Sequence, residues 1–310
     1  MSDRATSTSS ARAYTPSLSG RLYSRFLRSE ALRGYALLSP TLVLMLCAMC
    51  IPFGIMVVIS FWIQTGFEFT QGIHLKNYAE FVELPAYRVL MLRSLAISAA
   101  CTFATVILSY PMAYYVAFHV HKNKMAWIIL MTLPFWTSYL LRVFAWKIVL
   151  GFNGVINSGL MTLGVIDQPL EFMLYSPTSV VITLTHAWAA FAILPIYVSL
   201  EKIDRSLLEA ATDLGDGPVK RFFGVTLPLS LPGVIAASLL IFIPTVGDFV
   251  TPALVGGPDG LMIANIIQAQ FGKVNNWPRG AALALTMMVT ITTVSLAYIW
   301  ATRRLTGRVA

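Results

Sequence analysis

Six stretches of this chain contain no Asp, Glu, Lys or Arg: Tyr35 to Phe67, Ser94 to Phe118, Met125 to Leu141, Phe172 to Leu200, Phe222 to Gly247 and Gly280 to Thr302. Each approaches or exceeds the roughly 20 apolar residues that cross about 30 Å of hydrocarbon as a helix. Barrel strands are short and alternate in polarity; these runs do neither, so helices are the expected spanning element. Composition agrees. Hydrophobic residues make up 57%, charged residues 12%, and the mean hydropathy is +0.72, whereas a soluble domain carries about a quarter charged residues. The chain reads as an all-α membrane protein with spans near 36–63, 94–118, 125–147, 179–200, 229–249 and 280–302.

Where the charge falls sets the topology. Segments 1–34, 119–124, 201–228 and 303–310 hold 15 of the 22 Lys and Arg, while the loops on the other side hold Lys76, Arg88, Lys273 and Arg279. That asymmetry places both termini in the cytoplasm. The net charge of +8 is thus a topology signal, and no nucleic-acid partner is implied. Residues 1–20 hold nine Ser or Thr and read as a disordered cytoplasmic tail. In segment 21–34, Arg21, Arg25 and Arg28 share one helical face opposite Leu22, Tyr23, Phe26 and Leu27. That pattern fits an interfacial amphipathic helix on membrane lipid, with a solvated charge run as the alternative. Trp62, Trp127, Trp146, Trp277 and Trp300 gather near span ends, as amphipathic rings do at headgroup depth. Pro134 and Pro232 predict kinks in spans three and five. Cys47 and Cys50 have C-x-x-C spacing, but within a span and without a second pair they read as small packing residues. His119 and His121 read as a solvated turn, since a metal site would need a third ligand. No internal repeat is evident.

The 28-residue loop 201–228 is unusual between spans. Ser206 and Glu209 have capping-box spacing. They predict a helix from Leu207 to Leu214 with Leu207, Ala211 and Leu214 on one stripe, stopped by Gly215 and Pro218. Eight residues cannot hold a helix in water unaided, so a docking partner is implied. There is no G-x-x-x-x-G-K-[ST], H-E-x-x-H or G-x-G-x-x-G, and no catalytic cluster. This chain is not expected to be an enzyme.

Glu209-Ala210-Ala211, then Gly215, then Val225-x-Leu227-Pro228, resembles the E-A-A-x3-G-x9-I-x-L-P motif of the membrane subunits of type I ABC importers. Val225 in place of isoleucine is the one departure. The resemblance spans roughly 35–305 and implies a MetI-like permease domain with coupling loop 201–228 and a short cytoplasmic tail, 306–310. It implies ATPase-coupling roles for Glu209, Ala210, Ala211, Asp213, Gly215, Leu227 and Pro228. It further implies a second permease subunit in a heterodimer, two ABC ATPase subunits that use ATP and Mg, a periplasmic solute-binding protein, and a place in a bacterial inner membrane. No cofactor is expected on this chain. The stretches Pro134 to Arg142, Pro244 to Pro252, Gly256 to Asp259 and Asn276 to Pro278 resemble the first permease of the spermidine/putrescine branch, implying a polyamine or related cationic amine as solute.

Asp248 is the lone acid inside a predicted span, near its outer end. It reads either as a substrate or gate residue, since an intramembrane carboxylate suits an ammonium group, or as a helix cap or a partner of Lys273 or Arg279. His186 and Trp188 in span four read as a buried hydrogen-bonded histidine and a packing ring, or as part of the substrate path with Trp136 and Tyr139. Arg142 and Lys147 are expected to snorkel to the interface. An ion- or proton-coupled secondary transporter is the alternative function, for which only His186 lies deep enough in a span.

Overall fold

The computed structural model describes residues 29–306. The predicted tail 1–20 and most of the interfacial helix 21–34 lie outside the described residues. Contacts divide the chain into two units that meet at Met56 and Val57. The first holds most of α1, Glu30–Ser60, an apolar 31-residue helix in which Glu30 to Gly34 continue directly into the span.

The second unit holds the remaining elements. A two-stranded hairpin, β1 (Ile63–Thr65) and β2 (Glu68–Thr70), precedes α2 (Lys76–Glu83) and α3 (Pro85–Phe118). Then come α4 (Lys124–Thr132), α5 (Tyr139–Val149), α6 (Val155–Thr162) and α7 (Pro177–Glu201). The short α8 (Arg205–Asp213) is followed by α9 (Pro218–Val246), α10 (Gly257–Gly260), α11 (Ile263–Gly272) and α12 (Trp277–Thr306). Among the described residues, five helices (α1, α3, α7, α9 and α12) are long and apolar enough to cross a membrane, and α4 with α5 makes a sixth only as a bent pair.

The core lies where α3, α7 and α9 meet, around Ile97, Val180, Leu184, Ile193, Ile196, Ala237 and Ile241. In lipid, helices gain no hydrophobic free energy by leaving an equally apolar solvent, so close packing of small residues decides which faces join. On α3 the buried positions Ser94, Ser98, Cys101, Thr102, Thr105, Ser109, Ala113 and Ala117 recur at helical spacing. The Ser94, Thr102 and Thr105 hydroxyls return to the helix's own carbonyls, on Leu90 O, Ser98 O and Cys101 O at 2.7 Å, while Ser109 Oγ reaches Ala189 O on α7 at 3.4 Å. That leaves a narrow face free for α7.

Two expectations about spans need correction. The third apolar segment, predicted as a single span over 125–147, is broken: its halves, Lys124–Trp136 and Tyr139–Val149, meet at 83°. Pro134 lies in a tight 3-10 turn, Leu133–Trp136, and Thr137 and Ser138 are extended. Proline has no amide to continue the α-helical ladder, so the predicted kink becomes a full corner. The second span begins at Pro85, not near 94. Its added turns carry Arg93, which donates to Pro258 O at 3.2 Å and pairs with Asp259 at 3.8 Å.

Candidate functional site

Two regions carry the predicted site residues. The first is the connection between α7 and α9. Because α7 runs to Glu201 and α9 starts at Pro218, the linking segment is shorter than the predicted loop, and α8 is its centre. Pro218 opens α9 at a position where a missing amide costs nothing. The predicted capping box does not form. Asp204 is the N-cap, accepting the Ser206 backbone N–H at 3.0 Å. That hydrogen bond holds the Asp204 carboxyl below its ordinary range. Asp is as good a cap as Ser, and it stands directly before Arg205, two residues ahead of the predicted cap Ser206.

Gly215 ends α8 as expected, at φ +87°, with its N–H on Thr212 O at 2.9 Å and the Asp216 N–H on Ala211 O at 3.0 Å. Of the predicted stripe, Ala211 is buried, whereas Leu207 and Leu214 are 47% and 85% exposed. Leu208 instead packs toward the core. Arg221 Nη1 donates to Thr212 Oγ1 at 2.7 Å, tying α8 to the first turn of α9. Glu209 and Asp213 line a recess of about 390 Å³ beside α8, shared with Tyr114, His119, Arg205 and Arg221. The motif's Val225 falls in a wider π turn, Phe222–Thr226, directly before Leu227 and Pro228. Such turns accommodate a residue that cannot donate to the ladder.

The second region is at the opposite end of α9. The helix stops at Val246, so Asp248 lies just past the span and not inside it. Its Oδ1 accepts the amides of Val250 (2.9 Å) and Thr251 (3.4 Å), capping the turn that follows. Its Oδ2 accepts the Tyr139 hydroxyl at 2.5 Å, and that hydroxyl also meets Thr251 Oγ1 at 2.6 Å. The proposed pairing with Arg279 does not occur: Arg279 pairs with Glu80 at 2.8 Å. The segment after Asp248 is pinned from three sides. Ser179 Oγ donates to Val255 O at 2.6 Å, Asn265 Nδ2 to Phe249 O at 2.8 Å, and the Ile263 N–H to Ser94 Oγ at 2.8 Å. Gly257 has φ +60°, and a Cβ there would lie 2.5 Å from Tyr175 O.

Arg142 departs most from expectation. It does not snorkel; only 8% of it is exposed. Its Nη2 donates to Pro134 O (2.7 Å), Phe135 O (3.3 Å), Thr137 O (3.1 Å) and Thr137 Oγ1 (3.3 Å), and its Nη1 to Ala187 O on α7 (3.1 Å). Pro134 O also accepts the Thr137 N–H at 3.4 Å and the Thr137 hydroxyl at 2.7 Å; the Phe135 and Thr137 carbonyls fall at the break, and in apolar surroundings they must be satisfied. A planar five-donor fork does this for several at once.

The remaining residues are dispersed. Trp136, in the broken turn, is 82% exposed. His186 is exposed, not buried as the packing reading had it, and its Nδ1 accepts the Trp146 Nε1–H at 3.2 Å. It lines a cavity of about 570 Å³ with Thr105, Met131, Pro134, Phe135 and Thr185. Trp188 packs on Phe191, with ring centroids 5.3 Å apart. The structure therefore joins Tyr139 to Asp248 and His186 to Trp146. Sequence reasoning missed Thr251 and misread Arg142. The available signal was a charge six residues after the proline-containing turn Leu133–Trp136, whose loose carbonyls need donors.

A bundle of apolar spans with a short, capped, partly exposed helix between two of them, bearing this motif at its required spacing, has the build of an ABC importer's membrane subunit. Residues 125–309 match the family described as binding-protein-dependent transport system inner membrane component, and the chain belongs to that family. It is 38% identical over 235 residues to the spermidine/putrescine transport system permease protein PotB of Escherichia coli strain K12, covering 76% of this chain and 85% of that protein. It is 34% identical over 260 residues to PotB of Haemophilus influenzae, covering 84% and 90%. The fold is similar to that of a solved bacterial alginate ABC transporter in complex with an alginate-pentasaccharide-bound periplasmic protein, with TM-score 0.72 and 17% identity over 92% of this chain and 98% of that one. The chain is thus a multi-pass membrane permease subunit of the all-α, MetI-like kind.

Proposed function

We propose that this chain is the first of two different permease subunits in an importer of spermidine, putrescine or a related cationic amine. The observation that carries the solute class is the likeness to the PotB proteins, which extends over about three quarters of this chain. Chemistry supports it: an oriented carboxylate, Asp248, beside an aromatic hydroxyl, Tyr139, offers an ammonium group ion pairing with little reorganisation. Trp136, Trp188 and the cavity wall at His186 would continue that path inward. A neutral solute would gain no ion pair from Asp248, and an acidic one would be repelled.

In this reading α8 is the coupling helix. Leu207 and Leu214, exposed here, seat in one of two partner ATPase subunits, where Mg and ATP are bound and hydrolysed. Glu209, Ala210, Ala211, Asp213 and Gly215 form the docking element, and Leu227 and Pro228 begin the span it moves. The basic residues support an orientation with α8 and both termini in the cytoplasm of a bacterial inner membrane. A periplasmic binding protein then delivers solute at the Asp248 end. A secondary transporter, the other function open to the sequence, is not favoured by membership in a binding-protein-dependent family. The test is uptake in vesicles reconstituted with both permeases, the ATPase and the binding protein. Labelled spermidine should accumulate only with ATP inside, and excess putrescine but not a neutral diol of equal length should compete. Equal competition by the diol would overturn the amine assignment.

A further inference from the structure

The reading of Asp248 leaves Arg142 unexplained. A guanidinium buried at a span's corner, with only carbonyl and hydroxyl oxygens as partners, is costly, because no opposite charge offsets its lost hydration. Its Nε is buried without a hydrogen-bond partner among the described residues. Filling space in an apolar bundle needs no charge, and methionine or leucine would pack there at less cost. What Arg142 uniquely does is connect. One Nη gathers three carbonyls from the corner, and the other reaches the Ala187 carbonyl of α7. The corner is thereby tied to a core helix. The positive group also faces the carbonyl end of the α4 half, where a helix's partial negative charge collects.

Tyr139 opens the second half-helix, one turn before Arg142. At i and i+3 the two lie on the same face of α5. Wherever the corner is held, the Tyr139 ring is held too, and its hydroxyl meets Asp248 Oδ2 at 2.5 Å. The chain of contacts therefore runs from Ala187 through Arg142 and the corner to Tyr139, and from there to Asp248 and Thr251.

We propose that Arg142 is a positioning residue: by clamping the corner of the broken span it sets the Tyr139 hydroxyl on Asp248 and so orients the carboxylate that receives the solute's ammonium group. Arg142 touches no solute itself. A carboxylate fixed in one rotamer by a neutral hydroxyl keeps its full charge, and it needs no rearrangement when a cation arrives. The proposal rests on Asp248 meeting a cationic solute.

The test is a double-mutant cycle on the complete importer in vesicles, with Arg142→Gln, Tyr139→Phe and the two combined. Initial uptake rate is read against solute-loaded binding protein, beside ATPase activity without binding protein. Each single change should lower uptake about tenfold, the size of one lost hydrogen bond to a charged group, and Arg142→Gln should leave unstimulated ATPase activity unchanged. If Arg142 acts through Tyr139, the double variant is no worse than the poorer single variant. Arg142→Lys should recover part of the loss. Should Arg142→Gln fail to co-purify with the ATPase, the same cycle is run with Arg142→Lys. Multiplying losses in the double variant, or full uptake by Tyr139→Phe, would overturn the proposal. If instead Asp248→Asn imports normally while the cycle still shows coupling, the solute reading of Asp248 fails and the link between Arg142 and Tyr139 stands.

Discussion

The segment between α7 and α9 and the broken third span both depart from straight helix, for opposite reasons. In the first, local chemistry suffices: Asp204 starts α8 and Gly215 stops it, each satisfying backbone groups within a few residues. In the second, the donor is near in sequence, Arg142 lying five to eight residues from the corner carbonyls, but one end of it is fixed from a distance, on Ala187 O of α7. Pro134 and the extended Thr137 and Ser138 free carbonyls in apolar surroundings, and the donor for them also needs α7 for its place. A locally closed device tolerates exposure and suits a docking surface. A device fixed at one end from a distance stays rigid only while the bundle is packed, which suits a part whose setting changes with the bundle.

If that contrast holds, the largest single effect belongs to the stop of α8. Gly215→Val forces a β-branched residue to φ +87°, which non-glycine residues occupy only at about 1–2 kcal/mol or more. Nothing lies within 4 Å of its Cβ position, so the strain is conformational and confined to the docking element. Insertion should be normal while ATP-driven uptake is nearly abolished in reconstituted vesicles. Wild-type uptake by Gly215→Val would remove the coupling role from α8.

A smaller effect is expected at the other region. Asp248→Asn keeps a capping oxygen for Val250 and Thr251, since Asn caps as well as Asp, but loses the attraction to an ammonium group. Near an interface that attraction is worth on the order of 1–4 kcal/mol, so uptake should fall about tenfold or more with the ATPase still bound. If only Asp248→Ala reduces uptake, Asp248 is a cap, and the contrast between a docking region and a solute region loses its second half.

The smallest effect sharpens the first region. Asp204→Ala should weaken co-purification with the ATPase partner, whereas Ser206→Ala should not, because Asp204 and not Ser206 caps α8. The Asp204 carboxyl is held below its usual range by the Ser206 amide. Its contribution is therefore complete above the ordinary carboxylate pKa and fades as pH falls through the lowered one. Equal losses in the two variants would restore the capping-box reading.

The amino-acid sequence by itself determined the number of apolar segments, their helical nature, the stop at Gly215 and the family. Each rests on a property carried within one stretch of chain: the length of an uncharged run, a glycine at a left-handed position, a motif's spacing. It also marked Tyr139 and Asp248 as candidates without joining them. Tertiary structure alone decided that Pro134 turns a span through 83°, that Arg142 is buried on carbonyls instead of reaching the interface, and that Asp248 meets Tyr139 and not Arg279. Which hydroxyl answers a carboxylate, and which core helix steadies the donor at the corner, depends on distances between residues far apart in sequence. Charge and periodicity announce that a partner is needed; only packing chooses it.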